Sequence, residues 1–303
     1  MARNVAVLAV LVLAAALVAA CGDAPAGPDL VSEDPPPPVT GTVSTVTIPA
    51  TASGFAARDA HLYLPPGYHP GQAQRLPVLV MLAGVPGNTG DWFTSGEIQP
   101  ALDEFAAGHA GVAPIVVAPD DTGTGDEDLL CMDSPRAKLD TYLSRDVPRW
   151  VTQNLAADPD SRHWAVAGLS YGGTCAYELA VRHPAQFPTF ADFSGEERPM
   201  HDTVAAAVND IFAGDNTAYR RQDPLAILAQ RTFRGTAGMI TVGADDEPYT
   251  SEQQTVFQAC RRAGMQVQWK TLPGGHEWSL WAEFFRQSLP WLAQRLGLDR
   301  VPG

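Results

Sequence analysis

His163-Trp164-Ala165-Val166-Ala167-Gly168-Leu169-Ser170-Tyr171-Gly172-Gly173 is an apolar run that ends in a serine set between glycines. The run from Trp164 to Gly168 has the character of a buried strand, and the residues from Tyr171 to His183 read as a helix closed by Pro184. A serine on such a G-x-S-x-G turn sits on a strained backbone where a strand gives way to a helix. The two glycines make the turn possible: one lets the chain bend, the other lets the helix start close to the strand. The hydroxyl is then pushed out at the top of a sheet, within reach of a base. The motif is short enough to arise by chance, so its surroundings must decide.

Those surroundings alternate between strands and helices. Residues 44–48 and 61–64 read as two early strands joined by a turn at Ser53-Gly54. Residues 76–82 and 113–118 are continuous apolar runs, as expected of strands buried on both faces. Residues 141–155 are amphipathic and open after Asp140, which predicts a helix. Further strands are expected at 190–193, 239–242 and 267–272, and helices at 251–263 and 278–296, the last kinked at Pro290. Apolar strands alternating with helices imply an α/β fold with a mainly parallel sheet covered on both faces. In such sheets functional groups gather beyond the strand C-termini. Residues 196–234 carry no strong strand signal and are expected to form a helical insertion over that edge. There is no internal repeat and no sign of a second folded domain, so 43–303 reads as one domain.

A serine nucleophile needs a base and a carboxylate that orients it. Of the seven histidines, His61, His69, His109, His163 and His183 fall in strands, turns or helix ends, and His201 falls in the insertion. His276 follows Leu272-Pro273-Gly274-Gly275, directly after an expected strand and before the last helix. The glycines let that loop fold tightly and bring the imidazole over the sheet edge. The carboxylate is expected after the strand 239–242, in Ala244-Asp245-Asp246-Glu247-Pro248. Asp246 is the first choice; Asp245 and Glu247 stay open as alternatives. The chain order is then serine, acid, histidine. Two N–H groups must also face the oxyanion. Tyr171, next after the serine, supplies one. In Ala83-Gly84-Val85-Pro86-Gly87 the proline cannot donate, and Val85 is the expected second donor.

Composition narrows the partners. The chain has 303 residues, 45% of them hydrophobic, and a formal net charge of -14. So acidic a chain has no electrostatic footprint for nucleic acid and little attraction to anionic lipid. The acidic loop from Asp120-Asp121 to Asp126-Glu127-Asp128 lacks the ligand spacing of a calcium loop and reads as solvated. His276-Glu277 lacks the second histidine of a zinc peptidase helix, and Gly84 to Gly87 lacks the Lys-Ser/Thr of a phosphate loop. Neither metal nor cofactor is implied.

The N-terminus reads as a targeting segment. Arg3 precedes an apolar stretch from Val5 to Ala20 that ends Leu17-Val18-Ala19-Ala20-Cys21. Small residues before a cysteine mark a bacterial lipoprotein signal peptide, 1–20, after whose removal Cys21 carries the lipid. A proline-rich acidic tether, 21–42, follows and would hold the folded part off an extracytoplasmic membrane surface. Outside the cell, disulfides are permitted. Of Cys131, Cys175 and Cys260, at least one must stay unpaired within the chain. A Cys131–Cys175 bridge between the 131 loop and the helix after the serine is expected to be worth about 4 kcal/mol in the chain-entropy model.

Six blocks together carry a family resemblance: Tyr63-Leu64-Pro65-Pro66-Gly67-Tyr68, Ala83-Gly84-Val85, Asp140-Thr141-Tyr142-Leu143 with Asp146-Val147-Pro148, Gly168 to Gly173, Gly243 to Asp246, and Gly274-Gly275-His276-Glu277-Trp278. Over 43–296 the chain resembles the esterase D and mycolyltransferase group of α/β-hydrolases, which includes feruloyl-type esterases and S-formylglutathione hydrolases. With its lipoprotein signal and its Ala, Arg, Gly and Pro enrichment it looks actinobacterial. The resemblance implies an α/β-hydrolase fold and a serine carboxylic-ester hydrolase acting on a small-molecule, lipid or sugar ester. It also leaves room for an acyltransferase on cell-envelope lipids, or for a non-catalytic envelope-binding protein. Many members of the group have His-Gly or Asp-Gly where this chain has Ala83-Gly84, which leaves open what supports the oxyanion loop.

Overall fold

The computed structural model describes residues 39–124 and 128–298. The signal segment, most of the tether, Cys21, and Asp126 and Glu127 of the acidic loop lie outside the described residues. One eight-stranded sheet organises the rest, in the order β1-β2-β4-β3-β5-β6-β7-β8. The strands are β1 (Thr42–Val46), β2 (Ala60–Leu64), β3 (Val78–Leu82), β4 (Ile115–Ala118), β5 (Trp164–Leu169), β6 (Thr189–Phe193), β7 (Ala237–Gly243) and β8 (Gln266–Leu272). β1 and β2 run antiparallel to each other and β2 antiparallel to β4; from β4 through β3 to β8 every pairing is parallel. This is the architecture of an α/β-hydrolase.

The helices are α1 (Asp91–Thr94), α2 (Ile98–Ala107), α3 (Leu139–Thr141), α4 (Val147–Asn154), α5 (Tyr171–Arg182), α6 (Val204–Phe212), α7 (Asn216–Arg220), α8 (Pro224–Leu228), α9 (Tyr249–Arg262) and α10 (Trp278–Arg295). The twofold alternation of a strand divides the core between two faces. On β3, Val78, Val80 and Leu82 join a cluster with Tyr142, Val147, Leu179 and Val256. Leu79 and Met81 point the other way, to Leu102 of α2 and Phe284 and Phe285 of α10. Every residue of β3, β5 and β7 is buried, which is why β3 and β5 read as unbroken apolar runs. Fully burying one such Val or Leu contributes about 1.5–3 kcal/mol relative to exposure. The edge strands β1 and β8 are partly exposed and correspondingly polar.

The elements differ from the sequence reading in instructive places. α1 and α2 had no expectation at all; Trp92 of α1 is nevertheless buried, with its indole N–H donating to the Leu82 carbonyl at 2.7 Å. The helix expected over 141–155 is broken by a five-residue π-helical turn, Tyr142–Asp146. Pro148 follows that turn; it has no N–H to donate to the carbonyl four residues back, and its ring would clash with that carbonyl in a regular helix. The Asp146 carboxylate then caps a different segment, accepting from the Ala52 and Ser53 N–H groups at 2.8 and 3.0 Å. α10 runs on through Pro290 as one helix. Asp120 and Asp121, expected in a solvated loop, are buried instead. The physical reason for Asp120 is Arg58, whose guanidinium and backbone N–H both reach its carboxylate. Burial alone would raise that carboxyl; these contacts hold it below its ordinary value.

Residues 196–234 are helical, as expected, through α6, α7 and α8. They attach to the loop before α3 as well as to α5. Leu130 and Met132 pack with Val208, Ile211, Phe212 and Tyr219, and the Gln222 amide exchanges hydrogen bonds with the Asp133 backbone. No helix among the described residues is long and apolar enough to cross a membrane.

Candidate active site

Parallel pairing brings the ends of β5, β6, β7 and β8 to one edge: Leu169 lies opposite Phe193, Phe193 opposite Thr241, and Gly243 opposite Leu272. Ser170 follows β5, Asp246 follows β7 and His276 follows β8. Ser170 has φ 51 and ψ -126, a backbone that L-residues rarely adopt. Its N–H is held by the Phe193 carbonyl at 2.8 Å. Gly172 shows why the motif needs glycine: a Cβ there would lie 2.2 Å from the Ala83 carbonyl oxygen. A side chain at that position would force α5 off β3.

Three side chains from three loops meet at this edge. His276 Nε2 lies 2.9 Å from Ser170 Oγ. His276 Nδ1 lies 3.1 and 3.2 Å from the two Asp246 carboxylate oxygens. Asp246 is 2% exposed, whereas its neighbours Asp245 and Glu247 are exposed. Glu247 accepts from the Ser251 hydroxyl instead. A Ser–His–carboxylate chain of this order can hold the imidazole in one tautomer, Nδ1–H toward the carboxylate and Nε2 free to accept the serine proton.

The segments expected to carry the two oxyanion donors adjoin the serine. Tyr171 opens α5, so its N–H has no intrahelical carbonyl to bind. On the other side the Ala83-Gly84-Val85 loop touches the serine: a Cβ on Gly84 would lie 3.5 Å from Ser170 Cβ. The loop's polar support comes from a residue that sequence reasoning placed in solvent. The Ala83 backbone favours the charged form of the buried Asp121 carboxyl. Burial, then the charge of Asp120, pushes this carboxyl well above its ordinary value. The Asp121 backbone carbonyl accepts from the Tyr171 hydroxyl at 3.1 Å, and that hydroxyl accepts from the Cys131 N–H at 3.2 Å. Asp121 thus anchors the side chain of the residue that follows the serine.

Other expected residues fall elsewhere. Cys131 and Cys175 are disulfide-bonded with Cα atoms 5.5 Å apart, tying the 131 loop to α5; Cys260 is buried and unpaired. None of the other histidines touches Ser170. His183 bonds to Asp140, His163 to Asp158, His61 to Thr89, and His201 to the Asp128 carbonyl. Asp140, expected before a helix, lies inside α3 and pairs with Arg182. Sequence reasoning missed two aromatic neighbours of His276. Tyr249 stacks on the imidazole at 4.1 Å between ring centroids and 17° between planes. Trp281 meets it edge to face at 4.7 Å and 89°. Neither has a sequence signal, since aromatic residues at the head of a helix read as ordinary packing.

A family model described as "Putative esterase" matches residues 56–292. The chain belongs to this family. A curated relative, an uncharacterized protein of Corynebacterium glutamicum, is 37% identical over 268 residues, which is 86% of this chain and 62% of that protein. The chain therefore spans less than two thirds of that relative's length. Among solved structures, a ferulic acid esterase superposes with a TM-score of 0.72 at 21% identity, covering 86% of this chain and all of the other. The S-formylglutathione hydrolase from Agrobacterium tumefaciens superposes with a TM-score of 0.71 at 20% identity, covering 88% and 99%. Mycobacterium tuberculosis MPT51 does so with 0.61 at 20%, covering 86% and 99%. At these identities the solved structures speak for the fold alone.

Proposed function

We propose that the protein is a serine carboxylic-ester hydrolase that works through an acyl-enzyme on Ser170. The observation that carries this reading is the hydrogen-bonded chain from Ser170 through His276 to Asp246 at the C-terminal edge of the sheet. His276 Nε2 takes the Ser170 proton as Oγ attacks the ester carbonyl. The Asp246 carboxylate stabilises the resulting imidazolium. The N–H groups of Val85 and Tyr171 hold the oxyanion. His276 then returns the proton to the departing alcohol oxygen. In the second half a water molecule, deprotonated by His276, attacks the acyl carbonyl, and Ser170 leaves with its proton restored. Protons and charge balance without a further reactant.

The same acyl-enzyme serves a transferase when a sugar hydroxyl replaces water, and the fold shared with MPT51 keeps that outcome in view. We place the site outside the cell, with 1–20 removed and Cys21 lipidated, because the small residues before Cys21 fit lipoprotein processing. Replacing Cys21 by Ser should release the protein from membranes; retention would sink the lipid anchor.

Nitrophenyl esters of increasing acyl length test the activity, with Ser170→Ala as control. Ser170-dependent turnover is expected on at least one ester. Its absence on all of them would sink both enzyme readings and leave the envelope-binding one. Adding trehalose separates the two enzyme readings, since transfer product in excess of free acid would overturn hydrolysis.

A further inference from the structure

His276 reaches the site from a loop that contributes little rigidity of its own. It follows Gly274, at φ 133, and Gly275, and its side chain remains 29% exposed. Two hydrogen bonds alone, at 2.9 Å to Ser170 and 3.1 Å to Asp246, leave rotation out of the common plane weakly opposed. Two aromatic rings oppose it. Trp281 of α10, 6% exposed, meets the imidazole edge to face. Tyr249, the first residue of α9, lies flat on it. Tyr249 follows Asp246 by three residues, so one short segment orients the imidazole twice, by its carboxylate and by its ring.

We propose that Tyr249 is a positioning residue of this site: its ring fixes the plane of the His276 imidazole. The inference rests on the ester-cleaving reading above. Stacked rings prefer offset, parallel faces at short separation, and a flat aromatic face also favours the imidazolium formed during attack. Small losses of alignment between nucleophile and base lower the rate steeply. Because the ring acts on the reacting pair rather than on substrate affinity, its removal should lower kcat and leave KM nearly unchanged.

The test compares Tyr249→Phe, which keeps the ring, with Tyr249→Leu and Tyr249→Met, which remove it. Two rates are read: kcat and KM on a nitrophenyl ester, and second-order labelling of Ser170 by a fluorophosphonate. Labelling reports the nucleophile without needing deacylation. The Leu and Met variants should lose about tenfold or more in both kcat and labelling, with KM within about twofold. Phe should recover to within about threefold of the parent protein. Either ringless variant suffices if the other does not fold. Parent-like labelling in a folded Leu or Met variant would overturn the proposal, as would a rise in KM with kcat intact. A Phe variant as slow as Leu would remove the ring from the argument. A parent protein that reacts with neither probe sinks the Ser170 reading itself, and the positioning role falls with it.

Discussion

His276 Nδ1 faces Asp246, 2% exposed, and not the exposed Asp245 one residue earlier in the same acidic turn. Burial makes this carboxylate a fixed partner rather than a solvated one. Asp246→Asn is therefore expected to lower kcat by about 10²- to 10⁴-fold, because an amide favours the wrong imidazole tautomer. Asp245→Asn should leave kcat within about twofold, since it sits outside the chain of hydrogen bonds. Ester hydrolysis by the two variants, measured side by side, checks the assignment; equal losses would refute it.

The Cys131–Cys175 bond spans 44 residues and joins the 131 loop to α5. Replacing both cysteines with Ser should lower stability by about 2–4 kcal/mol. Cys260→Ser removes a buried thiol without a covalent link and should lower it by about 1 kcal/mol. Thermal melts with and without reductant read the difference, and a melting point insensitive to reductant in the parent protein would contradict the bridge.

Gly172→Ala places a methyl 2.2 Å from the Ala83 carbonyl oxygen. Backbone must move, at a cost of about 1–3 kcal/mol or more. The displaced loop is the one expected to carry the Val85 donor, so kcat should fall as well. A melting temperature equal to that of the parent would show that α5 does not pack as closely as described.

Glu196 follows β6 at the same sheet edge, and burial, then Asp128 and Glu252, push its carboxyl up to about 8. In the unfolded chain a glutamate ionises near about 4.3. Between those values the folded state holds the proton that the unfolded state has lost, so stability falls as pH rises from about 4.3 toward 8. Glu196→Gln removes the titration and should flatten this part of the curve. Urea midpoints at pH 5 and pH 8 test it; an identical pH dependence in the two proteins would count against the shift.

Asp140 behaves oppositely. Burial works against its charge, but Arg182 and His183 hold its carboxyl down to about 2. Its contribution to stability is present above the unfolded value, about 3.9, and is lost as pH falls from there toward 2. Asp140→Asn should remove part of the acid-side loss seen in urea titrations below pH 4. Since the change also leaves buried Arg182 with fewer partners, the variant should be less stable at pH 7.

Local chemistry accounts for what could be read in advance. The turn at Ser170 is encoded within six residues, because glycines at Gly168 and Gly172 are needed wherever strand and helix must pack this closely. The apolar strands are legible because β3 and β5 are buried on both faces and carry no polar side chain. Edge strands and capped ends were placed less well, since their boundaries depend on neighbours. The π-helical turn at Tyr142–Asp146 escaped because Asp146 bonds to Ala52 and Ser53, far away in the chain.

The amino-acid sequence by itself thus determined the fold class, the strained serine turn, and the order of serine, carboxylate and histidine, all of which follow from spacing along the chain. Only the tertiary structure decided which acid of the 245–247 turn faces His276, that Asp121 is buried beneath the oxyanion loop, and that Tyr249 and Trp281 enclose the imidazole. All but the Trp281 contact join segments distant in sequence, and their strength comes from burial and ring geometry that no local pattern records.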